Sequence, residues 1–240
     1  MTRHDAPVKT EDKVTVEPGK KSFTSPVHVL YQDAHILVID KPSGLLTVST
    51  EKEKEKTLYF QLNEWLKVSD TDHRARVFIV HRLDRDTSGL LVFAKDAETK
   101  QRLQKEWEHC GKRYYAVVEG RPPQEDTLRS YLAQNKAMKV YSTEKGDESK
   151  LAVTQYQVVR SNEWYSLLDI VPNTGRKNQI RVQLADIGHP VAGDEKYGAK
   201  SNPAHRLALH AYELSFKHPV TGKKMSFKSP LPVQLSNIVK

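Results

Sequence analysis

The run His81-Arg82-Leu83-Asp84-Arg85-Asp86-Thr87-Ser88-Gly89 gathers two carboxylates, two guanidiniums and an imidazole into nine residues. Arg82 and Arg85 flank Asp84, and nearby cations favour the ionised carboxylate. Such a carboxylate among guanidiniums suits work on a substrate that carries phosphates. The plainer reading is a charged turn, with Asp86-Thr87-Ser88-Gly89 as ordinary turn chemistry. Spacing alone favours that plainer reading.

Gly175-Arg176-Lys177-Asn178-Gln179-Ile180-Arg181 forms a second basic cluster. Gly175 permits a tight turn, and Arg176 and Lys177 lie at or before a helix start, where backbone donors attract phosphate. Arg181 lies one turn further in. Taken alone, the cluster reads as a solvated basic face. Tyr114 and Tyr115 are adjacent in an extended run, so they face opposite sides of a strand. Most strand tyrosines are packing residues.

These residues need strands and helices to hold them. The charged run lies between the apolar stretches Val77–Val80 and Leu90–Ala94, which places it on a loop at the end of a sheet. Upstream, Val27, Val29 and Tyr31 alternate as in a strand, Ile36 to Ile39 forms a second strand, and Lys41-Pro42-Ser43-Gly44 makes a tight turn. Residues 51–56 are a solvated charge run. Leu58, Leu62 and Leu66 mark a helix over 57–68, and Asp96 caps another running to about Glu108. Strands are expected over 113–120, 153–159 and 164–171, with 121–150 a polar excursion between them. Residues 178–190 read as a helix with Ile180, Leu184 and Ile187 on one face, ended by Gly188 and Pro190. Alternation resumes from Leu207 to Phe216 and again at Met225–Ser229. Strands outnumber helices and few are joined by crossover helices, so the fold class is α+β with a largely antiparallel or mixed sheet.

The 240 residues carry 38 Lys and Arg against 30 Asp and Glu, a net charge of +8. That surplus fits a polyanionic partner such as nucleic acid, and equally a merely basic soluble protein. The lone cysteine, Cys110, allows no disulfide within the chain and no thiolate zinc site, which fits a reducing cytoplasm. It directly follows His109, whereas nucleophile and base are usually distant in sequence, so it reads as incidental. His189, His205, His210 and His218 lack paired metal-ligand spacing. No apolar run approaches the roughly 20 residues of a membrane span. Residues 1–25 read as a mobile polar tail without a signal-peptide core, and 26–240 as one domain.

Five stretches, in order, resemble the RluA-like family of pseudouridine synthases. They are VLYQDAHILVIDKPSGLL, HRLDRDTSGLLVFAK, KRYYAVVEG, GRKNQIRVQLADIGHPVAGDEKYG and RLALHAYELSFKHPVTGKKMSFKSP, spanning residues 29–230. The resemblance implies a pseudouridine-synthase-like catalytic domain with a central RNA-binding cleft. It makes Asp84 the catalytic aspartate, Tyr114 the active-site tyrosine and Arg181 the partner of the aspartate. It places His81 and Arg82 beside the site, against RNA, and the basic residues Arg85, Arg176 and Lys177 of the two charged clusters are expected to bind RNA with them. It implies a monomer acting on ribosomal or transfer RNA without metal or cofactor. Two positions depart from the family pattern. Lys177 and Asn178 replace the usual hydroxyl residue and histidine, and Asn178 is left to cap the helix or accept a hydrogen bond. No separate N-terminal RNA-binding domain is expected.

Pseudouridine formation breaks the bond from uracil N1 to ribose C1′ and rejoins the base through C5. A carboxylate can act as nucleophile, stabilise developing positive charge or remove a ribose proton. A tyrosine could accept or relay the C5 proton, although an unperturbed phenol, with a pKa of about 10, is a poor base at neutral pH. Two rival readings are a metal-dependent nuclease using Asp84, Asp86 and Asp194 and a non-catalytic RNA-binding module. Neither accounts for five ordered motifs.

Overall fold

The computed structural model describes residues 27–49, 53, 55–69 and 75–240. The expected tail over 1–25 and residues 51, 52 and 54 of the charge run lie outside them. The chain forms β1 (His28–Gln32), β2 (Ile36–Lys41), α1 (Leu58–Ser69), β3 (Phe78–Ile79), β4 (Ser88–Ala94) and α2 (Ala97–Lys105). It continues with β5 (Gly111–Glu119), β6 (Glu125–Gln134), β7 (Val140–Thr143), β8 (Lys150–Ser161) and β9 (Tyr165–Pro172). Then come α3 (Gln179–Asp186), β10 (Leu209–Lys217), β11 (Lys224–Lys228) and α4 (Val233–Ser236).

These strands share one sheet in the order β1-β2-β4-β10-β5-β9-β8-β6-β7, with β3 on β4 and β11 on β10. Among the described pairs only β4 and β10 run parallel; the others are antiparallel. β2 and β4 read as continuous apolar runs because both faces are covered. Leu37, Ile39, Leu91 and Phe93 pack with Leu58, Leu62 and Leu66 of α1. Ile36, Val38, Leu90, Val92 and Ala94 pack on the other side with Leu103 of α2 and Phe216. Asp96 caps α2 as its position predicts, its carboxylate accepting from the Thr99 amide at 2.7 Å. The α-helix stops at Lys105 and a 3-10 turn, Trp107–His109, finishes the segment.

Two expectations need correction. The polar stretch 121–150 holds β6 and β7, not an excursion from the core. β6 buries only Leu128 and Leu132 among charged and hydroxyl neighbours, so its apolar signal is sparse. Pairing with β8 and β7 supplies what its composition does not. The helix expected over 178–190 spans Gln179–Asp186, and Gln179 to Leu184 are all buried. It is a helix wedged between the sheet and the 191–197 segment, so the single apolar face read from Ile180 and Leu184 understates its burial.

One row across the sheet positions the chemistry. Lys41 stands opposite Gly89, Gly89 opposite Ala211, Ala211 opposite Tyr114, and Tyr114 opposite Ile170. Residues directly opposite one another share a face. The parallel seam in this row is tight. Gly89 has φ +115°, and a Cβ there would lie 2.2 Å from the Ala211 carbonyl oxygen. Backbone at that distance cannot yield as a side chain can. Gly89→Ala is therefore expected to cost about 3 kcal/mol or more. Gly175→Ala, with an ordinary φ and nothing within 4 Å, is expected to be nearly neutral. Urea unfolding of the two variants checks this; similar midpoints would refute the seam constraint.

Candidate active site

The loop between β3 and β4 is carried by the segment that follows β2. Lys41 is fully buried, and its ammonium donates to the carbonyls of Pro42 (2.9 Å), Leu45 (2.8 Å) and Arg85 (2.8 Å). Burial pushes the Lys41 pKa down to about 7, while the charges of Asp86 and Asp84 oppose that shift. The Thr47 hydroxyl donates to the Leu83 carbonyl at 2.8 Å and the Ser43 hydroxyl to the Asp86 carbonyl at 2.7 Å. At the loop's far end the Ser88 hydroxyl lies 2.8 Å from His210 Nδ1 and accepts from Arg206 at 2.6 Å. Asp84 is therefore presented by backbone that is held at both ends.

Its side chain meets α3. Arg181 Nη1 lies 3.2 Å from Asp84 Oδ2. The larger share of that guanidinium goes to Asp194, through Nε at 2.6 Å and Nη2 at 2.7 Å. This two-pronged pairing fits the planar fork of arginine. The Asp194 side chain is 1% exposed. Burial disfavours the Arg181 charge, but Asp194 and then Asp84 outweigh it and push the guanidinium pKa above its usual value. Asn178 Nδ2 donates to the same Asp84 oxygen at 2.5 Å. It stands at the N-cap of α3 but its side chain makes no cap bond; its amide oxygen accepts from the Tyr197 hydroxyl at 3.1 Å.

A cavity of about 480 Å³ opens over this cluster. Asp84, Arg181, Asn178 and Tyr114 line it, with Arg82, Arg176 and Lys177 at its walls. Tyr114 reaches it from β5, with Leu209 and Ile180 alongside. Burial, then the Asp84 charge, pushes the Tyr114 phenol well above its ordinary value, so it stays protonated through the neutral range. Tyr115 turns the other way and stacks on Tyr212, centroids 3.8 Å apart.

The remaining predicted residues are distributed as follows. His81 lines the cavity, but its Nε2 accepts from the Val92 amide at 3.1 Å and its ring stacks on Trp107 at 4.0 Å. Burial, then Lys112, pushes its pKa down to about 3. Arg176 is exposed and donates to the Leu151 carbonyl at 3.1 Å. Lys177 reaches the Met138 carbonyl at 3.5 Å. Arg85 is exposed, donates to the Gly44 carbonyl at 3.1 Å and is not among the residues lining the cavity. Lys112 and Trp107, which do line it, were not singled out from sequence. Nor was Lys41, which had read as part of a turn, although a lysine closing a buried strand was the available signal. Asp194 had entered only as a metal ligand. Asp84 and Asp194 instead face one another through Arg181, and Asp86 lies in a neighbouring cavity. Among the described residues no group of three or more His, Cys, Asp or Glu is arranged to hold a metal ion.

Two outcomes follow from this geometry. Asp194→Ala leaves a buried guanidinium short of its main partner and is expected to cost about 3–5 kcal/mol, read by urea unfolding; a neutral substitution would refute the pairing's structural weight. His81 is neutral in the fold at a pH where free histidine is charged. The unfolded chain thus binds the extra proton between about pH 6.5 and 3, and stability falls as pH falls through that window. His81→Gln, which keeps an acceptor for Val92, is expected to flatten the dependence of Tm on pH between about 6.5 and 4.5.

A family model described as RNA pseudouridylate synthase matches residues 35–186. The ribosomal large subunit pseudouridine synthase D of Zymomonas mobilis is 33% identical over 232 residues, 90% of this chain and 72% of that one. The dual-specificity RNA pseudouridine synthase RluA of Vibrio cholerae is 36% identical over 201 residues, 80% of this chain and 78% of that one. Among solved structures, human RNA pseudouridylate synthase domain containing 4 superposes with a TM-score of 0.73 at 23% identity, covering 87% of this chain and 90% of that one, and so shares the fold. With a matching family model over most of the chain and relatives above 30% identity over most of their own length, the chain belongs to the RluA-like family of RNA pseudouridine synthases, intramolecular isomerases.

Proposed function

We propose that this enzyme isomerises specific uridines of ribosomal or transfer RNA with Asp84 as the catalytic carboxylate, Arg181 as its charge partner and Tyr114 as a proton relay. It works as a cofactor-free monomer. The observation that carries the reading is convergence. A carboxylate from the 81–88 loop, a guanidinium from α3 and a phenol from β5 meet at one cavity. The Zymomonas relative is named for the large ribosomal subunit and the Vibrio relative for dual specificity, which supports an RNA substrate of this class.

A uridine must leave its stack to enter the cavity, at a cost of a few kcal/mol. Contacts from Arg82, Arg176 and Lys177 to phosphates offset that cost, with Arg85 and His81 beside them. In the cavity the N1–C1′ bond breaks and a C5–C1′ bond forms. C5 gives up its proton and N1, which carries none in uridine, gains one, so composition and oxidation state are unchanged. Asp84 serves the bond-breaking step as an ionised carboxylate. Arg181 favours that form and, being anchored by Asp194, costs little reorganisation as charge moves. Tyr114 is a neutral phenol, so it contributes by relay. It accepts the C5 proton as it passes on its own, and Asp84, whose charge it feels, is the acceptor.

Asp84→Asn is expected to abolish pseudouridine formation with RNA affinity little changed; turnover near wild type would overturn the assignment. Tyr114→Phe is expected to slow turnover about 10²–10⁴-fold and Tyr115→Phe to be nearly silent, measured on RNA deuterated at uracil C5. A larger isotope effect on label release in Tyr114→Phe supports the relay. A dead Tyr115→Phe beside a normal Tyr114→Phe would reverse it. Arg181→Met should cost more than Arg181→Lys, since lysine keeps the charge and loses the fork.

A further inference from the structure

Asp84 does not present its two oxygens alike. Oδ2 accepts from Asn178 at 2.5 Å and from Arg181 at 3.2 Å. Among the described residues no hydrogen bond reaches Oδ1. Asn178 is buried and has φ 53°, in the left-handed region that Gly, Asn and Asp tolerate best. That conformation swings its side chain off the helix end and towards the loop. An ionised Oδ2 only accepts, so the amide nitrogen must face it and the amide oxygen must face away. There the Tyr197 hydroxyl donates to it. The Tyr197 ring is held under the Arg181 guanidinium, 5.1 Å from its centroid. Donors therefore run in one direction, from Tyr197 to Asn178 to Asp84.

We infer that Asn178 and Tyr197 are positioning residues for the isomerisation: Asn178 fixes Asp84 Oδ2, Tyr197 fixes the Asn178 amide, and Oδ1 is the oxygen left to meet the substrate. This rests on Asp84 being the catalytic carboxylate. Position 178 is one of the two where the chain departs from the family pattern, and an amide there donates at every pH at which the protein is folded. The other charged and titratable groups around Asp84 are Arg181 and Asp194 behind Oδ2, Tyr114 from β5, Lys41 from β2, Lys196 beside Tyr197, and Arg82, Arg85 and Asp86 on its own loop. None of them donates to the Asn178 amide oxygen.

The test measures single-turnover rates and RNA affinity for Asn178→Gly, Asn178→Asp, Tyr197→Phe and the double variant Asn178→Gly/Tyr197→Phe. Glycine keeps the left-handed backbone and removes the donor. Asn178→Gly is expected to lower the rate about 10- to 100-fold, the usual weight of a hydrogen bond to a charged group. RNA affinity should hold. Asn178→Asp sets a second carboxylate against Asp84 and should slow the rate further. Tyr197→Phe keeps the ring under Arg181 and should give a smaller loss in the same direction. The double variant should be no slower than Asn178→Gly, because Tyr197 acts through Asn178. A normal rate in Asn178→Gly, a loss confined to RNA affinity or losses that multiply would each overturn the inference. If Asn178→Gly does not fold, Asn178→Asp and Tyr197→Phe carry the same test. Asp84→Asn is run alongside. Activity there would sink the reading of Asp84 itself, whereas a dead Asp84→Asn beside a fully active Asn178→Gly would sink only the inference about Asn178.

Discussion

The contact between Gly89 and the Ala211 backbone is the constraint on which the rest of the molecule depends. It is the seam at which β4 and β10 meet in parallel and join the two halves of the sheet. The absence of a Cβ at Gly89 lets the strands close to hydrogen-bonding distance. The loop bearing Asp84 ends at this seam, and Tyr114 lies one strand beyond Ala211 in the same row. Any widening here would move the carboxylate away from the phenol. Ser88, His210 and Arg206 brace the same place with side-chain hydrogen bonds, so the loop bearing Asp84 inherits the rigidity of the sheet.

A second constraint is electrostatic. Burying Arg181 is costly unless its charge is met, and Asp194 meets it with two hydrogen bonds. That leaves one guanidinium nitrogen to reach Asp84 at a longer distance. Asp194 is thus gripped by two prongs, whereas Asp84 is held by a single longer contact and one amide, and the two carboxylates share the same cation.

The aromatic residues divide in the same way. Tyr115 and Tyr212 stack on the far face of the sheet, and the Tyr212 hydroxyl donates to Asp169. Tyr114 keeps its hydroxyl for the cavity. His81, despite its place in the charged run, is held neutral by burial and then by the Lys112 charge, with its ring stacked on Trp107 and its Nε2 accepting from the Val92 amide. It extends the short β3 edge as a substitute for backbone and shapes the cavity wall. The positive charge at the rim comes instead from Arg82, Arg176, Lys177 and Lys112.

Much of this could be read before any coordinates. The strands β2 and β4 showed themselves because buried strands carry dense apolar runs, β1 showed itself by alternation, and the Asp96 cap and the stop at Gly188 follow from local chemistry. The opposed faces of Tyr114 and Tyr115 follow from the period of a strand. Asp84 stood out by its company of arginines and by the motif around it. β6 was hidden because a strand that buries only Leu128 and Leu132 looks polar, and its longer pairing is with β8, from Leu132 opposite Lys150 to Glu125 opposite Gln157. Lys41 and Tyr197 were invisible as site residues, and Asp194 and Asn178 were visible only in other roles, for a related reason. Lys41 is 44 residues from Arg85, and Asn178 is 94 from Asp84. Side-chain type and spacing report what a residue can do with its neighbours in sequence. Which oxygen of Asp84 is held, by whom, and which is left free is decided by strands and helices brought together from opposite ends of the chain, and only the folded sheet sets those distances.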